Sequence, residues 1–240
     1  MLTMFVGYDP REAAAYHVFC QSVIAHASVP VAFVPMSEKM LHVDGQQDGS
    51  NAFIYSRYLV PHLMGHWDWA IFADGDMVCQ RDIAELWALR DERYAVQVVQ
   101  HDYQTKAATK YRGSPMECPN TSYPRKNWSS LVLWNCAHPL NRALTPERVA
   151  TAGGRYLHRF AWLPDEVIGA LPAEWNWLVE EYPPKPAALL HYTLGVPGFR
   201  AYADGEQAQA WHAALIDANH VYGENAHEMM ERAYGRSKLA

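Results

Sequence analysis

The chain has 240 residues, half of them hydrophobic, enough for one well-packed domain or at most two small ones. Twenty Lys and Arg against 26 Asp and Glu leave a formal charge of −6, which argues against a general nucleic-acid or anionic-membrane binder. Charged residues make up 19% and aromatic residues 12%, a balance that excludes disorder and coiled coil.

Taken in order, the apolar run Leu2 to Val6 leads into Gly7-Tyr8-Asp9-Pro10 and then into apolar residues at helical spacing. That predicts strand, loop and helix, with Asp9 as cap and Pro10 in the first turn. Val31 to Val34 predicts a second strand and residues 41–51 a polar loop. Tyr55 to Met64 predicts a helix that Pro61 bounds or kinks. Trp69 to Ala73 is a compact apolar strand ending in Asp74-Gly75-Asp76, and Asp82 to Leu89 follows as a short helix. Tyr94 to Gln100 alternates as a strand, whereas residues 101–124 show no period and predict a lid or binding loop. Ser129 to Asn135 is strand-like, Thr145-Pro146-Glu147 opens a helix, and Asp165 to Ala170 predicts a short helix. Trp175 to Val179 and Ala188 to Tyr192 are extended runs, and amphipathic helices are expected after residue 204.

Cys20, Cys79, Cys118 and Cys136 form no CxxC pair and are expected to be reduced, mostly buried thiols. The start shows no signal-peptide pattern, and no apolar stretch reaches the ~20 residues of a membrane span. A cytoplasmic protein without an integral membrane segment is the expectation.

Strands alternating with helices predict an α/β fold with a mixed, mostly parallel central sheet flanked by helices. In such sheets ligands lie beyond the carboxyl ends of strands, where Asp9 and the Asp74-Asp76 pair fall. Residues two apart on an extended chain point the same way, roughly 6 to 7 Å apart, so both carboxylates can address one hard cation. Directly after an apolar strand, two acids without a cation would repel one another. The same Asp-x-Asp-x-Val, Asp74 to Val78, also fits a phosphoaspartyl hydrolase of the haloacid dehalogenase type, with Asp74 as nucleophile. That motif belongs on a first strand, and here about seventy residues of α/β chain precede it.

Several ordered segments carry a more specific resemblance: MFVGYDPRE, IYSRYLVPHL, WAIFADGDMVCQRDIAELW, SSLVLWN, LPDEVIGALPAEWNWL and LLHYTLGVPGF. Together the set resembles retaining glycosyltransferases of the GT-A fold, family 8, the group of glycogenin and the bacterial lipopolysaccharide hexosyltransferases. The resemblance runs from about residue 3 to about residue 200. It implies a transferase domain over residues 1–203, with residues 204–240 a helical extension packed on it.

Carried over residue by residue, the resemblance implies that Asp74, Asp76 and His191 hold a divalent cation, Mn²⁺ or Mg²⁺. Taken alone, His191 reads more often as a satisfied core or surface histidine than as a ligand. Gly7, Tyr8 and Asp9 match the nucleotide loop, Arg57 the helix arginine that approaches the donor, and Ala73, Gly75, Ser129 and Ser130 the turns around the donor sugar. Asp165 would hold sugar hydroxyls. Glu166, standing where the family has Gln, would stabilise an oxocarbenium-like ion or act as nucleophile. The bland alternatives are a helix cap at Asp9, a solvated Arg57, and a helix-start acid pair at Asp165-Glu166. The implied partners are a nucleotide-sugar donor, UDP-hexose foremost, and a glycan or other hydroxyl acceptor.

Two departures stand out. The family's Asn-Ser-Gly turn reads Trp128-Ser129-Ser130, with Asn127 one place early, and the usual Lys-Pro-Trp after the histidine segment is replaced by Val196 to Phe199, followed by Arg200. They leave open a relative that binds a nucleotide or glycan without turnover.

Overall fold

The computed structural model describes residues 1–37 and 51–219. Residues 41–50 of the expected polar loop, and the chain beyond residue 219, lie outside the described residues.

The central sheet has six strands. They are β1 (Leu2–Gly7), β2 (Val31–Met36), β3 (Trp69–Ala73), β5 (Val96–Val98), β8 (Leu131–Asn135) and β9 (Ile168–Ala170), in the spatial order β2-β1-β3-β8-β5-β9. Only β8 runs antiparallel to its neighbours; β1, β2, β3, β5 and β9 share one direction. β3 and β8 are buried at every position, which explains their unbroken apolar sequences: both sheet faces are covered. One face packs on Phe19 and Val23 of the helix Ala13–His26; the other packs on Tyr58, Leu157 and Phe160.

A second sheet, absent from the sequence-based expectation in part, fixes the site. Met77–Cys79 (β4) leaves the DGD turn at once and pairs antiparallel with Leu189–His191 (β11), which pairs parallel with Trp177–Leu178 (β10). The register sets Met77 opposite His191 and Leu178 on its other side. The helix Ala208–Ala218 packs against the helix Ala13–His26, with Trp211 and Ala214 buried beside Ala15 and Val18.

Two expectations change. Asp165–Val167 is a single 3-10 turn that delivers the chain into strand β9, where a longer helix was expected. The aperiodic 101–124 segment carries a short antiparallel pair, Thr109–Lys110 (β6) with Cys118–Pro119 (β7), and sinks Tyr111 and Met116 into the interior. Tyr111 N donates to Leu194 O at 2.6 Å, tying this segment to the chain just after β11. The four cysteines are unpaired; burial pushes the Cys79 and Cys136 thiols up to about 12. No helix among the described residues is long and apolar enough to cross a membrane.

Candidate metal centre and donor cleft

β3 ends at Ala73, and Asp74 N donates to Ser130 O at 2.8 Å, which ties the DGD turn to the turn that opens β8. Gly75 sits where the turn meets the end of β1: a Cβ there would lie 2.4 Å from Gly7 O, a contact that only displaced backbone could relieve. Gly7 in turn carries the Phe53 ring against its α-carbon. Two strand ends thus come into backbone contact, and the two aspartates project beyond them.

Asp74, Asp76 and His191 are all buried, and one ligand atom from each lies within 4.8 Å of the others. His191 Nε2 stands 3.3 Å from Asp76 Oδ1, and Tyr192 N donates to Asp76 O at 2.9 Å. The β4–β11 pairing that sets Met77 opposite His191 is what brings these residues together across more than a hundred positions of chain.

A fourth residue orients the imidazole. Asn176 is fully buried, and its Nδ2 donates to Ser130 Oγ at 2.8 Å and to Asn127 O at 3.3 Å. A carbonyl oxygen can only accept, so the amide nitrogen faces that way and Oδ1 faces His191 Nδ1 at 2.8 Å. Nδ1 therefore carries the proton it donates to Asn176, and Nε2 is directed at the carboxylates. A hydrogen bond that fixes the far nitrogen is the usual support of a metal-bound histidine.

Arg57 is buried, with Nη1 2.8 Å from Asp74 Oδ1 and donating to Ser129 O at 2.9 Å. Its guanidinium lies over Phe53 at 5.3 Å and Phe72 at 5.0 Å. Burial raises the Asp74 carboxyl and Asp76 raises it further; Arg57 offsets this only in part, and the group is pushed up to about 6. Burial also works against ionised Asp76, but pairing with His191, which acts only while Nε2 carries a proton in place of a cation, outweighs it and holds that carboxyl below the ordinary range. Asp74 Oδ1 is buried against the Arg57 guanidinium and Asp76 Oδ1 against the His191 imidazole, neither in a well-aligned hydrogen bond. Two such oxygens and an imidazole nitrogen freed by Asn176 are a donor set that a divalent cation fits.

The remaining sequence-predicted residues divide. Asp9 caps the turn Pro10–Glu12: Oδ1 accepts from Arg11 N, and Oδ2 accepts from Ala52 N, both at 2.9 Å. Tyr8 meets Tyr16 edge-on at 5.6 Å. Ser129 and Ser130 are buried beneath the site, with Ser129 Oγ 2.9 Å from His158 Nδ1. Asp165 and Glu166 are exposed and not part of the cluster, and Asp165 is paired with Arg125 at 2.6 Å. The strand they enter runs parallel to β3, and Ile168 registers through Val96 and Trp134 with Ala70, so the pair approaches the sheet from the amino end of β9. Arg200 is exposed.

Three residues near the cluster went unread in the sequence. Asn176 belongs to the resembling LPDEVIGALPAEWNWL segment but carried no role of its own there. Glu12 looked like an ordinary first-turn acid, yet it is buried with Oε2 unpartnered; burial, then Asp76, Asp9 and Asp74, push it well above the carboxylate range. Lys110, on β6, bears on both aspartates and lowers their pKa.

Residues 12–125 match the sequence profile described as glycosyl transferase family 8. A protein of Arabidopsis thaliana, "Protein CDI", is 45% identical over 220 residues, covering 87% of this chain and 83% of its own. Among solved structures, the galactosyltransferase LgtC in complex with donor and acceptor sugar analogs superposes with a TM-score of 0.58 at 12% identity, over 92% of this chain and 98% of that one. GlyE of Streptococcus pneumoniae gives 0.59 at 10% identity, over 97% of this chain and 65% of that one. The bifunctional glycosyltransferase WbbM gives 0.59 at 15% identity over 96% of this chain, which spans about half of WbbM's length (51%). Sequence profile and architecture agree: residues 12–125 carry the glycosyl transferase family 8 profile and the chain has the GT-A glycosyltransferase fold, which tells against the dehalogenase-type alternative.

Proposed function

We propose that this glycosyltransferase is metal-dependent and retaining, and moves a hexose from a UDP-sugar to a hydroxyl of its acceptor. The observation that carries the reading is the buried Asp74, Asp76 and His191 cluster, with Asn176 fixing the imidazole. These three side chains would hold Mn²⁺, or Mg²⁺ less readily given the imidazole. When bound, the cation supplies Lewis-acid stabilisation of the departing diphosphate.

The protein's own share is preorganisation. Arg57 holds Asp74 from the side opposite the solvent, Asn176 holds His191, and Gly75 lets the turn press against β1. Gly7, Tyr8 and Asp9 would border the nucleotide, and Ala73, Gly75, Ser129 and Ser130 the sugar. Because Arg57 is engaged by Asp74 and Ser129 O, its part is to position Asp74 more than to bind sugar directly. With Asp165 and Glu166 exposed, attack by the acceptor hydroxyl on the same face as the leaving group, without Glu166 as nucleophile, is the path this arrangement favours. Residues 1–203 would form the transferase unit and residues 204–240 its extension.

The test is incubation with Mn²⁺ and a panel of nucleotide-sugars. Hydrolysis or transfer of a UDP-hexose, lost on EDTA treatment, supports the reading. Turnover indifferent to chelation overturns the metal assignment, and nucleotide binding without turnover on any donor identifies a non-catalytic relative.

A further inference from the structure

A cavity of about 550 Å³ opens beside the metal cluster, between the 3-10 turn around Tyr55, the β6–β7 segment and the helix Gly154–His158. Asn127, whose carbonyl receives Asn176 and Ser130 Oγ, lines its inner end, so the cavity and the cluster share a wall.

Its charge is the reverse of the molecule's. The chain carries a net −6, yet Lys110, Lys126, Arg155 and Arg159 line this cavity and no acidic residue does, among the described residues. None of the four makes an ion pair among those residues, whereas five other arginines do. Lys126 is buried, with Nζ donating to Asn120 Oδ1 and, at 2.7 Å, to Thr121 O. Its direct hydrogen-bond partners are neutral oxygens; desolvation and then Lys110 lower it to about 8, with Glu181 offsetting this only in part. Arg155 is exposed and Arg159 half-buried, so these two stand toward the open side, away from the metal ligands.

The rest of the lining fits carbohydrate: the aromatic residues Tyr55 and Tyr123 and the polar residues Thr121 and His158 line the same cavity. A bare anion would need no rings, and a neutral glycan would leave the guanidinium groups of Arg155 and Arg159 without a counter-charge. We propose that the acceptor bound here is an anionic carbohydrate, a sugar carrying a phosphate or a carboxylate that Arg155 and Arg159 engage. This rests on the reading of the adjacent cluster as the UDP-sugar site.

Calorimetry with Mn²⁺ and UDP present, titrating glucose, glucose 6-phosphate and glucuronate, tests it. At least one of the two anionic sugars should bind tenfold or more tightly than glucose, and which one does so distinguishes phosphate from carboxylate. The double variant Arg155→Ala/Arg159→Ala should abolish that preference with UDP affinity unchanged. Arg155→Glu, at an exposed position, is a second variant that should weaken the same anion. Equal binding of all three sugars overturns the proposal, as does a preference that survives in the double variant. Loss of UDP affinity in that variant would give the cavity to the diphosphate instead. A tenfold preference for UDP-glucuronate over UDP-glucose that vanishes in the double variant would place the anionic group on the donor. If wild-type protein fails to bind UDP with Mn²⁺, the donor-site reading fails first, and separately.

Discussion

Asn176 Oδ1 lies 2.8 Å from His191 Nδ1, and the same amide donates to Ser130 Oγ, so one side chain joins the proposed metal ligand to the turn that anchors Asp74. Asn176→Ala removes the acceptor and leaves the ring free to rotate or change tautomer. We expect Mn²⁺ affinity to fall about 10- to 100-fold, the range for lost support of a metal-bound histidine. Isothermal titration against a circular-dichroism control checks it; unchanged affinity in a folded variant would show that His191 needs no such support.

Asp74 must be ionised to hold a cation, and its carboxyl is pushed up to about 6. Below that pH a proton competes, so Mn²⁺ affinity should fall about fivefold between pH 6 and pH 5 and approach a tenfold loss per unit below that. The sign for folding is opposite. The native state holds this proton more tightly than the unfolded chain does, so the group's stabilisation is present at low pH and is lost as pH rises through about 6. Saturating Mn²⁺ should therefore raise Tm more at pH 7.5 than at pH 5. A metal-induced shift independent of pH would count against Asp74 as a ligand.

Arg57 is held between Phe53 and Phe72 while its Nη1 serves both Asp74 and Ser129 O. Arg57→Ala strands a buried carboxylate and two aromatic faces, for which a loss on the order of 3 to 5 kcal/mol is expected. Arg57→Lys keeps a charge but not the flat, forked shape, and should recover only part of it. Denaturant melts of the three proteins decide the order; equal stability of Lys and Ala variants would remove the shape argument.

The β3 strand and its two acids were legible because burial on both faces demands five consecutive apolar residues, and a charged turn ends such a run abruptly. His191 was legible only through the ordered resemblance, since one histidine after Leu189-Leu190 has no signature of its own. What escaped depends on pairing between distant segments. Asn176 matters because β10 sits beside β11, a register no local pattern encodes. Ile168–Ala170 is three residues long, too short to display a period of two, so the acidic pair before it was read as the start of a short helix running to Ala170. Lys110 lay in a segment whose order comes from Tyr111 and Met116 entering the core, not from periodicity.

Gly75 admits no side chain because Gly7 O would be 2.4 Å from a Cβ. Gly75→Ala must push the DGD turn away from β1, separating Asp74 and Asp76 from their present alignment with His191. We expect loss of Mn²⁺ affinity exceeding tenfold together with a lower Tm; a variant with wild-type affinity would show that the turn tolerates the displacement.

The sharpest contrast concerns two acids that the resemblance assigns to the site, Asp76 as metal ligand and Glu166 as catalytic group. Asp76 is buried 3.3 Å from His191, whereas Glu166 is exposed, preceding a strand that enters the sheet level with Ala70. Glu166 stands on the 3-10 turn at the amino end of β9, whereas the metal cluster lies beyond the carboxyl end of the parallel strand β3. Asp76→Asn removes a charged ligand and should abolish Mn²⁺-dependent donor hydrolysis. Glu166→Gln should leave kcat within about threefold of wild type, since exposed substitutions away from a site change little. Donor hydrolysis measured on both variants separates the cases. A loss of 100-fold or more in Glu166→Gln, with Mn²⁺ affinity intact, would restore Glu166 to the chemistry and require that the 3-10 turn Asp165–Val167 swing toward the cluster when donor binds.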